Sequence, residues 1–151
     1  MFLTETQIYA LFFLVGCFSV KSLLDLQNWA SRKNLWELWV VFIIAMIGHD
    51  IILFPSSMII LGIKWSIFLI IVLFFYFKEI RFLVLDDKIA LLAVVSLLHL
   101  YMIPVFLILY TGLLLLLKRR IKHGFSHTKL IPTLPLSTSS VVFTVALFLF
   151  L

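Results

Sequence analysis

Polar and charged residues divide the chain into six largely apolar runs, near Gln7–Leu24, Leu35–Phe54, Met58–Phe77, Phe82–Leu100, Ile103–Leu117 and Leu130–Leu151. A bilayer core about 30 Å thick needs roughly 20 apolar residues per helix. The pattern therefore predicts an all-α, polytopic membrane protein of about six transmembrane helices, packed as one integral bundle over residues 1–151. The fourth and fifth runs are parted only by Tyr101 and Met102 before Pro104, so one helix from Ile89 to Leu117 is the competing division. Ahead of the first run, Thr4-Glu5-Thr6-Gln7 has the spacing of a capping box and predicts a helix start there. Met1 to Gln7 holds Glu5 and no Lys or Arg, so the first run is expected to stay as a span rather than be removed as a signal.

Composition strengthens this division and charge orients it. Of 151 residues, 64% are hydrophobic and 13% charged, a surplus of apolar surface that an aqueous domain could not cover. Eleven of the twelve Lys and Arg residues form three groups: Lys21, Arg32 and Lys33; Lys78, Arg81 and Lys88; and Lys118, Arg119, Arg120, Lys122 and Lys129. With six spans all three groups fall on one side, which the positive-inside rule makes cytoplasmic. The N-terminus, the "GHDIILFPSS" turn and the C-terminus are then outside, in a multi-pass protein of the inner (cytoplasmic) membrane. One long helix in place of the fourth and fifth spans would put two basic groups on opposite faces. The net charge of +5 thus reads as a topology signal rather than a nucleic-acid surface. Lys64 is the exception and is expected to reach the outer interface beside Trp65; Trp29, Trp36 and Trp39 suit an inner interfacial belt.

Three acids share a depth on this topology. Asp25 ends the first span, and Asp86 and Asp87 open the fourth. A carboxylate near hydrocarbon costs a few kcal/mol, so such residues face the bundle interior and are candidates for function. The C-terminal end of a helix disfavours a carboxylate and the N-terminal end favours one. Two carboxyls so placed divide naturally into one that keeps a proton and one that takes a proton from water. The structural alternative is ion pairing, of Asp25 with Lys21 one helical turn earlier and of the later acids with Lys88.

These residues resemble the type IV prepilin peptidases, including the preflagellin peptidases, in the short form without a methyltransferase domain. "DLQNWASRKNLW" keeps Asp25 and, eleven positions later, Trp36 of the family's D-x-x-x-R-x-I-P-N-x-L-W, without the Ile-Pro-Asn. "LVLDDK" keeps Asp86 and Lys88 of G-x-G-D-x-K but has Leu83 and Leu85 for the glycines. "KLIPTLPLS" reproduces Ile131, Pro132, Pro135 and Leu136 of I-P-F-x-P-x-L. The resemblance implies an aspartic endopeptidase that removes the leader of prepilin-like proteins at the cytoplasmic face, with Asp25 and Asp86 as catalytic acids and Asp87 as the alternative to Asp86. It implies a prepilin-like substrate lying in the lipid bilayer, no cofactor and no metal. One carboxylate would deprotonate a water attacking the scissile carbonyl while the other donates to the oxyanion or leaving amine. The paired-cysteine region that serves methylation in the longer enzymes has no counterpart, so methylation is not expected.

The remaining polar residues read as structural. The lone Cys17 is expected in the core, and loop histidines His123 and His127 lack an acidic third ligand. His49-Asp50 reads as a polar turn with the following Pro-Ser-Ser, His99 and Tyr101 as outer interface residues, and Ser137 to Ser140 as a helix-packing stripe. The rival to peptidase is a catalytically degenerate homologue acting as a structural or scaffold membrane subunit. Ion conduction ranks third, because it predicts acids spread through the bilayer depth.

Overall fold

A computed structural model describes residues 4–28, 36–78, 85–124 and 134–150, with side chains at 4–23, 36–78, 85–116 and 137–148. Among these residues the protein is all-helical, with no strand: α1 (Glu5–Asn28), α2 (Trp36–Phe77), α3 (Leu85–Leu97), α4 (Met102–Gly124) and α5 (Leu134–Phe150). The capping box forms as its spacing predicts. The Thr4 amide donates to Gln7 Oε1 at 3.0 Å, and the Gln7 amide donates to Thr4 Oγ1 at 3.4 Å, satisfying donors that a helix start leaves unpaired.

The 42 residues of α2 are interrupted at Ser57, whose backbone (φ −140°, ψ 33°) leaves the helical region two residues after Pro55. Proline lacks the N–H that would bond the Ile51 carbonyl one turn back, and just beyond it Ser56 Oγ donates to the Leu53 carbonyl at 2.8 Å. The two arms fold back on each other. Lys64 Nζ lies 2.6 Å from Asp50 Oδ2, whereas a straight helix would separate residues fourteen apart by about 21 Å. The second and third apolar runs are therefore the arms of a helical hairpin. The break at Leu98 to Tyr101 ends α3 before α4, so the single helix from Ile89 to Leu117 does not form.

The chain packs as two compact units. The first holds residues 1–33 and 102–151, where α5 packs against both α1 and α4. Its buried positions recur at helical spacing: Leu14 and Phe18 on α1, Phe106, Tyr110 and Leu114 on α4, and Val141 and Val145 on α5. Hydroxyls share that interior, with Ser137, Ser140 and Thr144 buried and Ser22 Oγ 3.4 Å from Thr138 Oγ1. This bears on the expected packing stripe at Ser137 to Ser140, whose small side chains let helices approach.

The second unit, residues 34–101, is the α2 hairpin with α3 packed against it. Ala90, Leu91 and every residue from Ala93 to Leu98 are buried. Its polarity is inverted relative to a water-soluble fold: Ile51, Ile52, Met58, Ile59, Ile70 and Phe77 face outward, while Asp50, Lys64, Asp86 and Asp87 are inside.

Candidate active site

Asp86 and Asp87 occupy the first turn of α3, where free backbone N–H groups and the helix dipole suit an anion. Both are buried, at 1% and 5% exposure. The Trp39 indole N–H donates to Asp86 Oδ1 at 3.2 Å, joining the opening turns of α2 and α3. This corrects the expectation that Trp39 belongs to an interfacial belt. It is fully buried, because an indole carries one donor that must find an acceptor once removed from water. Trp36, one turn earlier, is 41% exposed, as an interfacial residue would be.

Asp25 lies in α1, close to its C-terminal end at Asn28, in the first unit; its side chain is outside the described residues. Lys21 on the same helix is buried. Trp29, Arg32, Lys33, Arg81, Leu83, His127, Lys129, Ile131 and Pro132 fall outside the described residues, as do the side chains of Lys118 to Lys122, His123, Pro135 and Leu136. Leu85, which precedes Asp86, is 64% exposed. Its side chain points away from the buried face that Asp86 occupies.

The unit carries a second polar cluster that the sequence reading missed. Asp50 Oδ2 accepts from Lys64 Nζ at 2.6 Å and from Trp65 Nε1 at 3.1 Å, and its Oδ1 lies 3.2 Å from His49 Nδ1. Lys64, expected to snorkel to the outer interface, is instead almost wholly buried. The hairpin is the reason, since it returns the ammonium to a buried carboxylate that offsets its desolvation. The expected polar turn of His49-Asp50 with Pro-Ser-Ser is corrected too: both residues are helical within α2, and Asp50 is directed inward. A signal was present in the sequence: Asp50 and Lys64 stand seven residues to either side of Ser57, and residues equidistant from a hairpin turn lie level across it. His99 lies within electrostatic reach of Lys64 and Asp50, and its ring stacks on Tyr101 with centroids 5.3 Å apart.

The two clusters lie at different heights in the unit. Asp50 is eleven residues beyond Trp39 on the same arm, about 16 Å along the helix axis. Among the described residues no group of three His, Cys, Asp or Glu side chains is placed to hold a metal ion. Comparison with protein-family models, curated proteins and solved structures finds no match. Fold and site together define an all-helical protein with carboxylates buried inside an outwardly apolar helix unit.

Proposed function

We propose that this chain is a six-span membrane protein and an intramembrane aspartic endopeptidase that cleaves the leader of prepilin-like proteins at the cytoplasmic face. The membrane assignment is supported by the inverted polarity of the hairpin unit, since apolar side chains outside and paired ions inside are what lipid demands. Each arm of α2 has about 20 residues, roughly 30 Å, the thickness of the hydrocarbon core. Glu5–Leu23 is likewise long and apolar enough to cross. The proposal divides α2 into two crossings and counts α3, α4 and α5 as one each, with the basic groups cytoplasmic and the N-terminus outside.

The observation that carries the peptidase reading is the buried Asp86 carboxylate, fixed by a Trp39 hydrogen bond at the α3 N-terminus. An acid removed from water yet held in one orientation suits proton transfer. In this reading Asp25 is the second acid, Asp87 the alternative to Asp86, and the substrate a pilin-like protein with a short basic leader before a hydrophobic helix. The exposed Leu85 supports activity despite the missing glycine, because its side chain does not crowd Asp86. Membranes carrying the protein should cleave a pilin-like substrate from the same organism. Asp25→Asn and Asp86→Asn should each abolish cleavage with unchanged membrane insertion; undiminished cleavage by both would end the proposal, and no cleavage by the wild type would leave the scaffold reading.

A further inference from the structure

We propose that Trp39 is the positioning residue of this reaction and that it selects Asp86, rather than Asp87, as the acting carboxylate. The inference rests on the peptidase reading above. Adjacent residues on a helix point about 100° apart, so a fully buried indole on α2 can meet only one of the two acids, and it meets Asp86 at 3.2 Å. Indole nitrogen only donates, which fixes the polarity of the contact: N–H toward carboxylate oxygen. The donor cannot swing away, because its ring is fully enclosed. One Asp86 oxygen is thereby anchored and the rotation of the carboxylate restricted. That restriction holds the carboxylate in one orientation, as a group that must take or give a proton to a single water requires. Nothing in the family motifs includes this tryptophan; the assignment comes from the packing of α2 on α3.

Trp39→Phe keeps most of the buried ring and removes only the donor. It should lower kcat about 10- to 100-fold, the scale of a small misplacement of a reacting group, with KM within about twofold of wild type because no substrate contact is lost. A readout independent of activity is the indole N–H resonance of Trp39 in detergent micelles, one of four tryptophans and identified by its disappearance in Trp39→Phe. Asp86→Asn should move that resonance and Asp87→Asn should leave it nearly in place. If Asp86→Asn is inactive while Trp39→Phe turns over like wild type, the positioning role is overturned and the peptidase reading stands. If Asp86→Asn cleaves normally and Asp87→Asn is the inactive variant, Asp87 is the acting acid and the role of Trp39 is overturned; a wild-type protein that cleaves nothing takes the peptidase reading with it.

Discussion

Lys64 and Asp50, fourteen residues apart, meet at 2.6 Å with both side chains almost fully enclosed. Such a pair is costly to assemble from water and costly to break once buried, because removing one partner strands the other charge. It fixes which residues of the two α2 arms stand level, and so the register of the hairpin.

Lys64→Met should therefore destabilise the protein by about 3–5 kcal/mol. Asp50→Asn combined with Lys64→Met removes both charges while leaving an acceptor for Trp65, and should recover most of that loss. Unfolding titrations in mixed micelles measure both. A single variant as stable as wild type would show that the arms are held by apolar packing alone.

The proposed topology sets the hairpin turn and the basic segment after α4 on opposite sides of the membrane. With Cys17 replaced by Ala, a cysteine at Ser56 should react with an impermeant maleimide added outside intact cells. A cysteine at Lys122 should react only after permeabilisation. Equal reactivity of both from outside would remove the orientation argued from the basic groups.

In the first unit, Ser22 and Thr138 approach to 3.4 Å across 116 residues of sequence. Interhelical hydroxyl contacts in membrane proteins average about 0.6 kcal/mol. A double-mutant cycle of Ser22→Ala and Thr138→Val should give a coupling of about that size, read from unfolding in micelles. Additive effects would assign the contact to packing.

Much of this fold was legible in the sequence, and the illegible part has one physical cause. The capping box at Thr4 and Gln7 and the breaks at Pro55 to Ser57 and at Leu98 to Tyr101 follow from local chemistry that the residues carry with them. The inward face of α2 does not, because a helix that is apolar all round has no periodic stripe to mark its buried side. Sequence alone therefore places Trp39 and Lys64 at the interface, where tryptophan and lysine near the ends of apolar runs usually lie. Their partners, Asp86 and Asp50, lie on another helix and beyond a turn. Only the hairpin geometry, with Ser57 midway between Asp50 and Lys64, could have turned the second of these into a sequence-level expectation.

Leu83 and Leu85, where the prepilin peptidase motif has glycines, provide the sharpest test of the proposed activity against the scaffold alternative. Glycine is needed where a Cβ would collide or where φ is positive. Leu85 is helical and 64% exposed, so neither requirement applies there. If the chain is an enzyme adapted to leucine, Leu85→Gly should bring no gain in cleavage and should cost about 1 kcal/mol of stability, the usual penalty for glycine within a helix. If the leucine is a mark of decay, the same substitution, or Leu83→Gly with it, should create or raise cleavage in an otherwise silent protein. Parallel assays of turnover and of unfolding in micelles separate the two, since adaptation predicts a loss of stability without a gain in rate.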